Sequence, residues 1–413
     1  MQTLVFHPGT QHSRQTALAL QELERLAFLA TGLFDYPESA ERDRAGRLPQ
    51  KLQQRLLHEM ARFASPGLDP GKVRAFPRYE LPERLAARLG ARNFARRLDT
   101  ALNAAFGRKV AMLAKREGPF VLWGYDGSSF SAFGDARTSA CPKVLDRTIA
   151  DGRYWNEEVA RIADKHGDWL SGGTPLWCTQ RVARDDSEYG NADLIVCGSP
   201  FVMRSIAEYS RVPGVAAKCR LLPYSYDEQL FGGATDPQPV PQGEPVRFLF
   251  AGQVSARKGV QHLLEAFARL PASAAKLTLV GAVMVPQRLL APYRDRIEVL
   301  GSVPRAEMPG IMRRHHALVF PSHFEGSAVV LVEAMASGLA IVQTAAAGLG
   351  ASEKSGIVLE RPEANSVEEA MLTLLKDRER LHSMRRAAQA EAQARNFAAY
   401  RAGVAAALAE VAG

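Results

Sequence analysis

Only four cysteines occur in the 413 residues (Cys141, Cys178, Cys197 and Cys219), and no two stand in a CxxC spacing. That scarcity argues against a disulfide framework and a zinc knuckle alike. Long apolar runs are missing too: 120–123 and 329–332 fall far short of the ~20 residues that cross a bilayer. The chain does not open with the charged-then-apolar layout of a signal peptide, so a reduced cytoplasmic protein is expected. No DxD triplet occurs, which removes the obvious carboxylate pair for holding Mg²⁺ or Mn²⁺ against a diphosphate. Neither GxxxxGK[ST] nor a GxGxxG after a first strand is present, which excludes a Walker A loop and disfavours a dinucleotide-dependent dehydrogenase. Internal repeats and low-complexity tracts are absent.

What remains is an ordinary globular composition, 46% hydrophobic and 23% charged, long enough for two or three domains. The net charge of +8 is unevenly placed. Residues 1–120 carry all of it, and 47–116 hold 16 basic against five acidic residues. Arg84, Arg88, Arg92 and Arg96 recur every four residues, which predicts one stripe on a helix. Leu85, Leu89, Phe94, Leu98, Leu102, Phe106, Val110 and Leu113 supply an apolar face at helical spacing. Such a stretch suits an anionic membrane surface, a polyanion, or a solvated helix packed on a core. Nucleic acid is not expected, because no nucleic-acid-binding module accompanies the charge.

In the second half, strand-like runs at 246–251, 277–280, 297–300, 317–321 and 339–344 alternate with helical patterns. That alternation predicts a parallel sheet covered on both faces. The first half repeats the theme at 3–7, 120–123, 143–146 and 193–197. Residues 231–246 are rich in Pro and Gly and read as a linker. The expected organisation is therefore an α/β N-terminal domain over 1–230 and a second over 247–395. Open α/β sheets bind ligands at the carboxyl ends of their strands, so a cleft between the two is the natural site.

Two segments carry chemistry. After the strand at 246–251, Arg257 and Lys258 precede a helix, where cations face the wrong end of the dipole unless an anion is held there. After the strand at 317–321, a turn leads into a helix expected near Ser327, so that the N–H groups of Gly326, Ser327 and Ala328 would suit a diphosphate. Glu325 and Glu333, eight residues apart, offer carboxylates to sugar hydroxyls. The run 329–332 looks like strand by propensity alone.

These segments, FAG at 250–252 with KG at 258–259, LTLVG at 277–281, VLG at 299–301 and FPSHFEG at 320–326 running on to EAMASG at 333–338, carry a family resemblance. The chain resembles the retaining nucleotide-sugar glycosyltransferases of family GT4, whose fold is GT-B: two Rossmann-like, doubly wound domains facing a cleft. Glu325 to Glu333 matches the family's E-x7-E signature. The likeness is looser in the first half, where TLVFHPGTQH at 3–12, NADLIVCGS at 191–199 and YSYD at 224–227 stand in the family's places.

The resemblance implies a sugar transfer from a nucleoside-diphosphate-sugar to an acceptor hydroxyl, with retention and without metal or other cofactor. Lys258 would bind the donor diphosphate. The family pairs it with an Arg where this chain has Gln253, so Arg257 is the candidate to compensate. Glu333 would hold the ribose, Glu325 the donor sugar, and residues 301–303 would lie near the base. Gly9 would face the donor in the first loop. The family's N-domain histidine has three candidates, His7, His12 and His166, with His12 favoured by its place in that loop. The final helix, about 396–413, would cross back to the N-terminal domain. The acceptor would be lipid-linked or a saccharide, in polysaccharide or glycolipid synthesis, with peripheral contact at an anionic membrane through 47–116. Rival readings are a non-catalytic nucleotide-sugar-binding subunit and a GT-B nucleotide-sugar epimerase.

Overall fold

The computed structural model describes the chain except residues 10–11, 37–48, 51–52, 54–56, 58–59, 61–62, 171–173, 234 and 413; of 92 and 93 it describes the backbone alone. Part of the basic segment at 47–116 thus lies outside the described residues, as do two residues of the first loop.

The first sheet has seven strands: β1 (Gln2–His7), β2 (Leu26–Thr31), β3 (Val73–Ala75), β4 (Phe120–Tyr125), β5 (Lys143–Arg147), β6 (Leu194–Cys197) and β7 (Cys219–Leu221). Their order is β3-β2-β1-β4-β5-β6-β7, with every pairing parallel. Alternation along β1 sends Leu4 and Phe6 into one core layer and Val5 into the other, as a sheet buried on both faces requires.

The second sheet repeats the plan with six strands: β8 (Val246–Ala251), β9 (Ala275–Val280), β10 (Ile297–Gly301), β11 (Ala317–Phe320), β12 (Ala340–Thr344) and β13 (Gly356–Leu359). Its order, β10-β9-β8-β11-β12-β13, is again all parallel. In both sheets the order reverses beside the first strand, between β1 and β4 and between β8 and β11. Ligands in this architecture bind at that switch point.

The helices that matter to the site are α1 (Ser13–Glu22), α2 (Leu81–Arg88), α3 (Arg92–Glu117), α4 (Gly152–His166), α5 (Thr179–Asn191), α6 (Pro200–Tyr209), α7 (Val260–Ala268), α8 (Val329–Ala336) and α9 (Phe397–Ala412). The last packs on the first sheet's side of the molecule. Tyr400, Val404 and Leu408 join the core of Val5 and Leu20, and the Tyr400 hydroxyl lies 2.6 Å from that of Thr16.

Two expectations are corrected here. The arginine stripe does not run along one helix, because residues 89–91 separate α2 from α3 and Gly90 sits in the left-handed region at φ 80°. Nor does the apolar face form one buried surface. Phe106, Val110 and Leu113 are core, whereas Leu85, Leu89 and Phe94 are 60, 77 and 57% exposed. The run 329–332, strand-like by propensity, is the start of α8, since Leu331 and Val332 fill the second core. Packing decides between period two and period 3.6 there.

Candidate active site

The second sheet's switch point holds a cavity of about 360 Å³. Gly252, Lys258, Gly281, Ser302, Val303 and Val330 are among the residues lining it. Gly281, at φ 135°, lies so near β8 that a side chain there would meet the Gly252 carbonyl at 1.9 Å. Backbone walls of this kind leave room for a flat ligand.

Beside the cavity three donors converge on one carboxylate oxygen. Lys258 Nζ lies 2.8 Å, Arg257 Nη1 2.9 Å and the Ser322 hydroxyl 2.8 Å from Glu325 Oε1. Arg257 also donates to the Phe324 carbonyl at 2.7 Å. Burial opposes the charge of Glu325, but Lys258 and Arg257 outweigh it and hold the carboxyl below the ordinary glutamate range. Burial lowers Lys258 in turn, against the pull of Glu325. Glu333, five residues into α8, accepts from Arg305 Nη2 at 2.6 Å, and burial raises its carboxyl. Arg305 is a neighbour that the sequence reading missed: no motif marks it.

The remaining expected donor residues are less uniform. Helix α8 begins at Val329 rather than near Ser327, with Ala328 as its extended N-cap. The Ala328 N–H, expected to face a diphosphate, donates to the Ala347 carbonyl at 3.3 Å. Gly326 is pressed against the first domain: its carbonyl accepts from the Ser199 hydroxyl at 2.5 Å, and a side chain there would stand 1.7 Å from the Thr148 carbonyl. Ser327 lies at the same contact, its Cβ 2.7 Å from where a side chain on Gly198 would begin. Gln253 borders a separate crevice of about 20 Å³ with Trp169 and Thr174, apart from the cavity that Lys258 lines.

The three histidines occupy three different settings. His12 stacks on Tyr224 at 3.6 Å, and burial lowers it to about 4, so it is neutral near pH 7. His7 accepts from the Gly9 N–H at 3.0 Å through Nδ1 and is also lowered by burial. His166 stands against His262 on the second domain, away from both cavities' floors.

At the first sheet's switch point lies a larger cavity of about 830 Å³. Its floor includes His7 at the end of β1, Gly9 beyond it, and Asp126 and Gly127 after β4; its walls come from α2, α3, residues 175–178 and α5. Asp126 accepts from the Thr148 N–H and hydroxyl at 2.9 and 2.6 Å. Thr148 is the residue whose carbonyl abuts Gly326, so one residue links this floor to the Glu325 loop. Aromatic rings make a second link: Trp177 in the cavity wall stacks on Trp155 at 4.9 Å, and Trp155 meets Phe324 edge-on at 4.9 Å. None of Asp126, Trp177, Arg181 or Arg184 stood out in the sequence, because five separate segments supply this cavity.

Comparison with known proteins bears on the fold and the superfamily. Residues 234–391 match the family model described as Glycosyl transferases group 1. An uncharacterized glycosyltransferase of Methanocaldococcus jannaschii is 24% identical over 196 residues, 46% of this chain and 51% of that protein. The uncharacterized glycosyltransferase YqgM of Bacillus subtilis is 25% identical over 210 residues, 48% and 55% of the two chains. The chain thus spans about half the length of the curated relatives it matches. Among solved structures, Anabaena Alr3699/HepE in complex with UDP superimposes with a TM-score of 0.62 at 16% identity, covering 99% of this chain and 100% of that one. The sucrose-phosphate synthase of Thermosynechococcus elongatus gives 0.66 at 16% identity, covering 98% of each. At that identity the likeness establishes the fold, which is the two-domain GT-B arrangement. The match over 234–391 supports the group 1 glycosyltransferase superfamily.

Proposed function

We propose that this protein is a retaining glycosyltransferase of the GT4 type, moving a hexosyl group from a nucleoside-diphosphate-sugar to an acceptor hydroxyl. The observation that carries the reading is the Lys258–Glu325–Arg257 group beside the cavity at the β8/β11 switch point. The donor's base and ribose would occupy that cavity, with a hydroxyl of the ribose on Glu333 beside Arg305. Its diphosphate would take Lys258, and Arg257 where it reaches, in exchange for part of their hold on Glu325. Preorganised cations of this kind stabilise the charge that builds on a departing diphosphate. Glu325, relieved of one donor, would accept from the sugar's hydroxyls. Metal is not required in this scheme.

The acceptor would enter from the first domain, whose cavity shares the Thr148–Gly326 contact with the Glu325 loop. His7 and Asp126 are the titratable groups on that floor. Among the described residues no helix is long and apolar enough to cross a membrane. Leu81, Leu85, Leu89 and Phe94, all at least half exposed, stand on α2, α3 and the turn between them, among arginines. That surface favours peripheral contact with anionic lipid, at the cytoplasmic face, and a lipid-linked or saccharide acceptor in polysaccharide or glycolipid synthesis.

The test is turnover of UDP-, GDP- and ADP-hexoses in EDTA, following release of the nucleoside diphosphate and the anomeric configuration of the product. One donor should be consumed with retention, and Glu325→Ala should abolish transfer while sparing nucleotide binding. An inverted product would end the retaining assignment, and loss of turnover in EDTA the metal-free one. Equal binding to phosphatidylglycerol and phosphatidylcholine vesicles at low salt would end the membrane assignment.

A further inference from the structure

The larger cavity has a mixed lining that no donor-binding role accounts for. Five arginines border it: Arg84, Arg96, Arg97, Arg181 and Arg184. Arg84 is bound to Glu80 at 2.5 Å. Arg97, Arg181 and Arg184, by contrast, make no direct ion pair with a described carboxylate; Asp99, Asp126 and Asp185 attract Arg181 through space, and Asp99 also Arg184. The Arg181 guanidinium lies 3.5 Å from the Trp177 ring centre, held over the indole. A guanidinium fixed on an aromatic face keeps its N–H edge for a second partner, and its fork matches the oxygens of a phosphate.

The carboxylates of the cavity are committed in another way. Asp185 is bonded to the fully buried Arg147 at 2.8 Å, and Asp126 to Thr148. Asp99 accepts from Asn103 at 2.8 Å, and Glu83 stands beside it on α2. Asp99 and Asp126, whose hydrogen bonds come from the neutral Asn103 and Thr148, with Arg147 4.0 Å from Asp126, keep lone pairs for hydroxyl groups. A cavity of about 830 Å³ that offers guanidinium groups without a directly bonded carboxylate, together with anchored carboxylates, is matched by a ligand with both an anion and several hydroxyls.

We infer that the acceptor is a saccharide bearing a phosphoryl group, with the phosphate held by Arg181 and Arg184, assisted by Arg97 at the rim, and the hydroxyls by Asp126, Asp99 and Glu83. This rests on the glycosyltransferase reading, which it narrows from any saccharide or lipid to a phosphorylated one. The phosphate comes either on a free sugar phosphate or on a lipid headgroup, since the recognising chemistry is the same.

The experiment is equilibrium binding to the full chain, read by tryptophan fluorescence, with Trp177 in the cavity wall as reporter. The soluble probe is glucose 6-phosphate, with glucose as its neutral counterpart. The lipid probe is phosphatidic acid vesicles, with phosphatidylcholine as counterpart. A phosphorylated probe should bind at least tenfold better than its counterpart. Arg181→Gln/Arg184→Gln should remove that preference, and Lys258→Ala should leave it. Preference for glucose 6-phosphate alone assigns a free sugar phosphate; preference for phosphatidic acid alone assigns a lipid. Equal binding of both members of each pair overturns the inference, as does a preference lost in Lys258→Ala but kept in the arginine variant. Arg97→Gln, at an exposed position, should weaken binding severalfold and serves if the double variant does not fold. Stabilisation by nucleoside diphosphate, measured on the same preparations, separates the two levels. Its absence from the wild type would sink the glycosyltransferase reading whatever the phosphate probes do.

Discussion

At the switch point of the second sheet the cations already hold carboxylates: Lys258 and Arg257 grip Glu325, and Arg305 grips Glu333. At the matching point of the first sheet, Arg181 and Arg184 face a larger cavity and bond no described carboxylate directly, although Asp99 attracts both through space. The same topology thus carries two different electrostatic designs. In the second domain the buried charges satisfy one another, so the proposed donor would exchange one partner for another. In the first domain Arg84 and Asp185 are each paired, and Arg181 and Arg184 are left for the inferred phosphate. Removing a residue should therefore do more to stability in the second site and more to ligand choice in the first.

Glu325→Ala is the strongest way to break that contrast. It strands Lys258 and Arg257 together in a buried site, a change that costs about 3–5 kcal/mol when one member of a buried pair is lost. Urea unfolding should show it, and a loss under 1 kcal/mol would mean the group is not a structural unit. Next in size, Gly326→Ala places a methyl against the Thr148 carbonyl, where overpacking costs about 1–3 kcal/mol. Turnover should fall with it, because the contact lies between the domains; unchanged kcat and stability would show that the domains need not touch there.

The domains should also differ in how pH acts on them. Burial raises Asp146 to about 7 and Glu188 to about 8, so both hold protons in the folded chain that the unfolded chain has released. Their contribution turns unfavourable as pH rises from about 4 toward 8, by at most about 1.4 kcal/mol per pH unit for each group. Glu325, held low, contributes above its unfolded value and loses that contribution as pH falls through its folded one. Asp146→Asn and Glu188→Gln should flatten the decline in urea midpoint between pH 5 and 8. A decline as steep as the wild type's would assign it to other groups. Smallest of all, Ser199→Ala removes one hydrogen bond to Gly326, for about 0.5–1.5 kcal/mol by the same assay, and no change would mean that water replaces the hydroxyl.

The same contrast explains what could be read from the sequence. The parallel sheets were legible because short apolar runs such as 246–251 and 339–344 mark buried strands, while the GT-B arrangement came from the resemblance of the motifs. The strands β2, β3, β7 and β13 were not: two of them have three residues, and the apolar 26–31 follows a helix without a turn signal between them. Lys258, Glu325 and Glu333 stood out because each belongs to a short contiguous motif after a strand, Glu333 within the helix that follows it. Their pairing did not, since 67 residues separate Lys258 from Glu325. The arginine stripe misled because a single glycine, Gly90, breaks the helix that its spacing implied. The cavity of the first domain was illegible for a topological reason. His7, Arg97, Asp126 and Arg181 meet only when the order of the strands brings four distant segments to one edge.

The central claim, a nucleoside diphosphate held by Lys258 at the β8/β11 switch point, is tested most directly by thermal stabilisation. UDP, GDP and ADP would be added in EDTA to the wild type and to Lys258→Ala. A nucleotide at a hundred times its Kd adds about 2.7 kcal/mol, a clear rise in Tm. The account predicts that one nucleoside diphosphate raises the Tm of the wild type without metal, and that Lys258→Ala loses about 1.5–3 kcal/mol of its binding, the scale of a charge-assisted hydrogen bond. No shift with any nucleotide, or the same shift in both proteins, would contradict it.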